Sequence, residues 1–396
     1  MKDEILYIWL QQAVGIYSRL PSEIFPRFKN ISEIYECNDF CFLGEKRERY
    51  ISRLGSKDLS HAFEVMKRCQ MIGVTVTGYY DELYPSLLRK IQNPPVALYS
   101  IGKFKNLNDL PCIAIVGTRK MTDYGRETAE NFAYNFSKSG AVVVSGLAKG
   151  VDTAAHRGAV MADGYTIGVL GNPIGDIYPK ENKKAFETLY QCGLVVSELY
   201  PGAPGTRADF PNRNRIISGI SDAVVIAEAG EGSGALITAK HALDQGKSIY
   251  AVPGTIGAEN AGTNQLIKQG IPIATDPYDV LSSLSLEYPE KIHVYEPSVT
   301  ANLRSYGNVI SRAKDKETQK QIILEAEQTE PISEKESLSG DMSERIRELL
   351  KGSNPRTADE IALDLGIDVS SVMTELTLME IDGSVTVSAG GRYTYR

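Results

Sequence analysis

Four short segments of this chain carry residue types suited to holding an anion. The first is Val116-Gly117-Thr118-Arg119, at the end of a β-branched run. Glycine there lets backbone amides approach a charged oxygen, and Arg119 adds a planar fork that can chelate a phosphate. The second is Ser145-Gly146-Leu147-Ala148-Lys149-Gly150, a loop that opens a helix at Val151. Its first free N–H groups and the positive end of the helix dipole form an anion seat, with Lys149 as an auxiliary charge. Asp152 and His156 stand four residues apart and share one face of that helix, where they either cap and brace the loop or touch a ligand.

The third segment is Phe210-Pro211-Asn212-Arg213-Asn214-Arg215-Ile216-Ile217, preceded by Arg207. Arginines beside an aromatic are the composition that holds phosphates and stacks bases. Asp209 is the one acid among them, and Pro211 suits the first turn of a helix. The fourth is Gly230-Glu231-Gly232-Ser233-Gly234-Ala235-Leu236-Ile237-Thr238-Ala239, a second glycine loop entering a helix, with Ser233 and Gly234 at its mouth. No acid or base stands on that helix where a hydrolase would want one. Alone, each segment has an ordinary reading as a solvated turn, a capped helix or a surface charge run.

The elements that must position these segments alternate. Strand-like runs cover Cys112 to Val116, Ala141 to Ser145, Tyr165 to Leu170, Gly193 to Ser197, Ala223 to Ala227 and Lys247 to Val252. Helical patterns lie between them, at Tyr124 to Ser139, Asp152 to Ala162, Lys180 to Gln191 and Gly234 to Gln245. Such alternation predicts right-handed crossovers and an α/β, doubly wound, mostly parallel sheet, with ligands at the carboxyl ends of the strands. Residues 1–70 show apolar residues at helical spacing (Leu6, Trp9, Leu10, Val14, Ile31, Ile34) and predict a small helical, SAM-like domain. Residues 71–284 form the core domain, with its first 40 or so residues read as a short strand and irregular structure at the sheet edge. Ser285 to Asp341 is rich in charge and poor in large apolar residues, which predicts a flexible acidic linker. From residue 342 to 396, three helical patterns followed by Val385-Thr386-Val387 and Tyr393-Thr394-Tyr395 give the order of a winged helix.

The 396 residues hold 43 Lys and Arg against 50 Asp and Glu, a net charge of −7. A surface coated in nucleic acid is excluded. The acidity sits in the tail: residues 285–342 carry seven bases against eleven acids and residues 343–396 six against nine, which leaves residues 1–284 neutral. No apolar run approaches the ~20 residues of a bilayer span, and no secretory leader pattern opens the chain, so a cytoplasmic protein without membrane contact is expected. Five cysteines with no CxxC pair indicate neither a disulfide frame nor a zinc site, and no metal or other cofactor is expected.

Taken in order, these segments resemble the DNA-processing protein A family (DprA, also called Smf). The run SGxAxGxDxxAH is met by Ser145 to His156, FPxRNRIIxGxS by Phe210 to Ser221, SGxLxTA by Ser233 to Ala239 and AVPG by Ala251 to Gly254. The resemblance implies a Rossmann-like, non-enzymatic protein that binds single-stranded DNA, forms dimers and loads the RecA recombinase during natural transformation. Its DNA pocket would use Gly117 and Arg119, the Ser145, Gly146, Lys149 and Gly150 loop, Lys180 in Tyr178-Pro179-Lys180, then Phe210, Arg213, Asn214, Arg215, Ser233 and Gly234, with Asp152 and His156 in support. The alternative is a nucleotide phosphoribohydrolase of the same fold, but Thr238 stands where that family's motif needs a glutamate. A third reading is an adaptor whose acidic winged helix docks a protein.

Overall fold

The computed structural model describes residues 2–44, 47–294 and a discontinuous set within 345–395. Contacts divide the chain into two units, Met1–Pro297 and Ser298–Arg396.

The first unit is built on eight strands: β1 (Thr75–Gly78), β2 (Ala97–Gly102), β3 (Cys112–Gly117), β4 (Val142–Ser145), β5 (Thr166–Leu170), β6 (Leu194–Ser197), β7 (Ala223–Glu228) and β8 (Ser248–Ala251). They pair in the order β1-β2-β6-β5-β4-β3-β7-β8. The six from β6 to β8 are parallel, with Ile113 opposite Val143 on one side and Ala223 on the other. Parallel strands are covered on both faces, which is why β3, β4, β5 and β7 read as nearly unbroken apolar runs. Each lies within a residue or so of its sequence expectation. The edge differs from expectation: residues 97–102, read as irregular, form β2, which pairs antiparallel with β6 and with β1. Pro94-Pro95 just before it masks the strand signal, because proline cannot donate to a ladder and reads as a break.

Among the described residues this unit has thirteen α-helices: α1 (Asp3–Val14), α2 (Pro21–Ile24), α3 (Ile31–Glu36), α4 (Glu48–Ser56), α5 (Ser60–Met71), α6 (Ser86–Arg89), α7 (Asp123–Lys138), α8 (Val151–Met161), α9 (Lys183–Cys192), α10 (Asp209–Ile220), α11 (Gly234–Asp244), α12 (Ala261–Lys268) and α13 (Pro277–Glu287). The chain steps outward from β3 through β4 and β5 to β6, then returns to place β7 on the other side of β3. Helices α7 and α8 therefore pack on one face, with Phe132, Phe136 and Ala155 against Ile113, Ile115 and Val143. Helices α10 and α11 pack on the other, with Ile216, Ile217 and Ala239 against Ala114, Val144 and Val224. The loops after β3 and β7 diverge to opposite faces, so a crevice opens at their carboxyl ends.

Helices α1 to α5 share their core with the sheet. One cluster runs from Ile8, Trp9, Leu10, Ile31 and Ile34 to Leu170, Leu189 and Val195. Each such fully buried side chain contributes roughly 1.5–3 kcal/mol, so the contact is a strong one. Polar stitches fix it: Gln11 Nε2 donates to the Glu198 carbonyl at 2.9 Å and the Tyr99 hydroxyl donates to Gln11 Oε1 at 2.7 Å.

Order continues past the expected linker boundary at 285. Helix α13 begins with a capping box at Asp276 and Asp279, runs to Glu287, and Ile292 is buried beyond it. The remainder of the linker expectation, residues 295–341, lies outside the described residues. In the second unit, helical residues 345–350, the helix Ala358–Leu365 and the hairpin Val385–Ser388 with Arg392–Tyr395 pack around Ile346, Ile361, Leu376 and Val385. A short strand, Arg356–Thr357, adds to the hairpin.

Candidate nucleic-acid interface

The loops after β3 to β7 form three adjoining hollows across the carboxyl ends of the strands, and Phe210 lines all three. The first, about 450 Å³, lies between the β3 and β7 loops and is lined by Gly117, Arg119, Arg213, Asn214, Ser233 and Gly234. The second, also about 450 Å³, lies over β4 and β5 and is lined by Gly146, Lys149, Asn172, Tyr178 and Lys180. The third, about 850 Å³, lies over β5 and β6 and is lined by Tyr178, Lys180, Lys183, Thr206 and Arg207.

Local sequence explains the central aromatic. Helix α10 starts at Asp209, whose carboxylate accepts the Thr206 N–H and hydroxyl. The one acid of the arginine run is thus consumed in holding its own loop. A Cβ on Gly171 would lie 2.8 Å from the Phe210 ring, so bare backbone is what lets the ring seat there. The Tyr178 ring stands 5.4 Å from it, and the Arg119 guanidinium 5.6 Å from its centroid. Tyr178 is more than half exposed. Among the described residues no carboxylate pairs with Arg119, Lys180 or Arg207, whereas Lys149 pairs with Glu181 at 3.0 Å. Such cations, with an exposed Tyr178 ring beside a half-buried Phe210, suit a phosphate-and-stacking surface.

Glycine in the surrounding loops has three different uses. At Gly146 a Cβ would fall 2.6 Å from both terminal nitrogens of Arg213. Gly150 adopts φ +85° and packs onto the Thr118 carbonyl, so the β3 and β4 loops lean on each other. Gly232, at φ +76°, and Gly234 have open space where a side chain would be, leaving the amides before α11 approachable. Asn214 Nδ2 donates to the Gly234 carbonyl at 3.2 Å and ties α10 to that loop. Asn182 does the same for the Tyr178-Pro179-Lys180 segment, donating to the Leu147 carbonyl at 2.8 Å.

The two arginines of the run part company. Arg213 is buried beneath the first two hollows, where it donates to the carbonyls of Gly146 and Val169 and faces the Asp152 carboxylate. Burial pushes its pKa down to about 10, with Asp152 opposing. Its Nε has no protein partner. Arg215 lines none of the three hollows. It points to the opposite side of α10, where its Nη2 meets both oxygens of buried Glu198 at 2.8 and 2.9 Å, with the Tyr17 ring 5.7 Å away. Side chains two residues apart on a helix point about 200° from each other, so only one can face the cleft. Ser145 is also turned inward, donating from Oγ to the Ile115 carbonyl at 2.6 Å.

Asp152 and His156 do not pair. Asp152 lines the first hollow and is held above the usual carboxylate range by burial, against the pull of Arg213. His156 is buried and its Nδ1 lies 2.7 Å from Thr166 Oγ1. The Thr166 hydroxyl hydrogen goes to the Val143 carbonyl at 2.8 Å, so Nδ1 carries the imidazole proton and Nε2 is bare. Burial first, then the Arg213 charge, push the His156 pKa down to about 3. The unfolded chain therefore binds a proton near the ordinary ~6.5 that the folded chain refuses. Stability should fall as pH drops from ~6.5 toward the folded value, at up to about 1.4 kcal/mol per pH unit. The check is denaturant unfolding across this window: His156→Gln should flatten the fall, and a slope equal to wild type would count against the assignment.

Residues that sequence reasoning left out of the site are Tyr178, Asn172, Thr206 and Lys183, which line hollows. Tyr178 was within reach as the aromatic beside Lys180. The others depend on loop paths that no motif encodes. Among the described residues no cluster of His, Cys, Asp and Glu could hold a metal ion, and no helix is long and apolar enough to cross a membrane. The five cysteines are free thiols.

Fold and site together define a doubly wound α/β protein whose cation- and amide-lined crevice lies at its topological switch point. The family model described as DNA recombination-mediator protein A matches residues 75–285, and that of the DprA winged helix domain matches residues 321–391. The chain belongs to the DNA recombination-mediator protein A family. It is 31% identical over 349 residues to Protein Smf of Synechocystis, covering 87% of this chain and 85% of that one. It is 36% identical to the DNA processing protein DprA of Bacillus subtilis, covering 55% and 75%. Among solved structures, DprA from Streptococcus pneumoniae superposes with a TM-score of 0.60 at 30% identity, covering 71% of this chain and 98% of that one. DNA processing protein A from Helicobacter pylori, in a structure concerned with its single-stranded DNA binding mode, gives 0.50 at 29% identity, covering 56% and 97%.

Proposed function

We propose that this protein binds single-stranded DNA across the carboxyl ends of β3 to β7, without base specificity and without catalysing a reaction on it. The observation that carries the reading is the exposed Arg119 guanidinium, without a carboxylate partner among the described residues and set over Phe210 beside the open glycine loop at Gly232 to Gly234. A phosphate fits the cation and the amides, and a base fits the ring. Family membership supports the finer parts of the reading: protection of an incoming strand, loading of RecA recombinase during natural transformation, action as a homodimer and a cytoplasmic setting. The hydrolase alternative lacks chemical support, because Thr238 offers a buried hydroxyl in place of a carboxylate.

The test is a salt titration of single-stranded against duplex binding. Wild type should prefer the single strand, with affinity falling steeply as salt rises. Arg119→Ala should weaken binding about tenfold and reduce the salt slope by about 0.7, while Phe210→Ala should cost roughly 1–3 kcal/mol with the slope unchanged. Preference for duplex, or wild-type affinity in both variants, would sink the reading.

A further inference from the structure

We infer that Glu228, a residue outside every motif above, is a positioning residue for single-strand binding: it pins both ends of the loop that presents Arg119. This rests on the single-strand reading and names what holds its principal cation in place. Glu228 ends β7 and is fully buried, yet among the described residues no cation pairs with it. A buried carboxylate is costly unless its oxygens are taken up. Its backbone carbonyl accepts the Thr118 N–H at 2.7 Å, and its carboxylate accepts the Thr122 N–H at 3.0 Å and the Thr122 hydroxyl at 3.2 Å. Arg119, Lys120 and Met121 are the whole span between these anchors. Glu228 lines none of the three hollows, so it reaches a ligand only through that loop.

Strand register places the carboxylate there. Val224 and Ile226 pack toward α10 and α11, while Val225 and Ala227 pack toward α7 and α8. Strict alternation would send the next side chain, that of Glu228, to the α10 side. The pairing shifts at this point: Val116 stands opposite Ile226, but Gly117 stands opposite Glu228. The extra residue turns the carboxylate over to α7, as a bulge beside a functional loop does. Two glycines make room for it. A Cβ on Gly125, in the first turn of α7, would overlap Glu228 Oε2, and one on Gly117 would lie 2.7 Å from the Glu228 carbonyl. The negative charge rests at the amino end of α7, whose dipole favours it, and stays out of the cleft, where it would repel a phosphate.

The experiment titrates the full chain with an oligothymidine of about twelve nucleotides, using two variants that disturb the anchor by different means. Glu228→Gln keeps the shape but removes the charge and puts an NH2 group where one acceptor stands. Gly125→Ala keeps the carboxylate and fills its seat. Each should weaken binding about fivefold and lower the salt slope by up to about 0.7, the share of one phosphate contact. Added to Arg119→Ala, each should leave affinity within about twofold of that variant, because the cation it positions is already gone. Added to Lys180→Ala, on a different loop, each should cost the full loss. A general loosening of the fold would cost the same in every background, and that result would overturn the inference while leaving the single-strand reading intact. Wild-type affinity in both variants, or failure of both to fold, would overturn it likewise. Failure of the wild type to bind the oligothymidine would overturn the single-strand reading itself, and this inference with it.

Discussion

Arg215→Ala is expected to destabilise the protein by roughly 3–5 kcal/mol while leaving single-strand affinity of the folded fraction within about twofold of wild type. The ion pair it breaks is buried on both sides, Arg215 and Glu198 each being less than a tenth exposed. Glu198 would be left without its counter-charge in a site where burial already raises its pKa and where Arg215 is the main opposing influence. Glu198 also offers its backbone carbonyl to Gln11, so the loss reaches the seam between α1 and the sheet. The measurements are denaturant unfolding and a binding titration performed well below the midpoint. A companion variant, Arg215→Leu/Glu198→Leu, removes both charges and should recover part of the stability, because no buried ion is left alone. A large affinity loss at unchanged stability would show that Arg215 reaches DNA after all.

Arg213→Ala should do both kinds of damage. It strands buried Asp152 and removes the bonds to the Gly146 and Val169 carbonyls that tie the loop after β4 to the end of β5. A stability loss of about 3–5 kcal/mol is expected from the unpaired charge, together with loss of most single-strand binding as the first two hollows open. Arg213→Ala/Asp152→Asn separates the effects. It should restore much of the stability, since a neutral amide needs no counter-charge, but little of the binding, since the loops still lack their tie. Recovery of both would mean that Arg213 acts on DNA only through the fold.

Set side by side, these two variants show where the sequence was legible. The alternation of apolar runs and helical patterns was enough for the parallel core, because strands buried on both faces must be apolar throughout. The glycine loops and arginine run were enough for the chemistry. What the spacing could not say was which arginine faces the cleft: Arg213 and Arg215 have the same composition around them and opposite directions on α10. The same holds for Asp152 and His156, whose four-residue spacing gives them one helix face but not their partners. His156 instead finds Thr166 on the neighbouring strand, a partner made available only by sheet register.

Chain composition by itself determined the class of fold, the order of its segments and the kind of ligand they could hold. It also located the acidity in the last third of the chain and left residues 1–284 neutral. Tertiary structure alone decided which charges are free. Among the described residues Arg119, Lys180 and Arg207 make no ion pair, and Asp209 is spent within its own turn. Arg215 is withdrawn by Glu198, a residue 17 positions earlier that the return of the chain from β6 to α10 brings beneath it. Local preferences are read along the chain, but the availability of a charge depends on what crosses it in space.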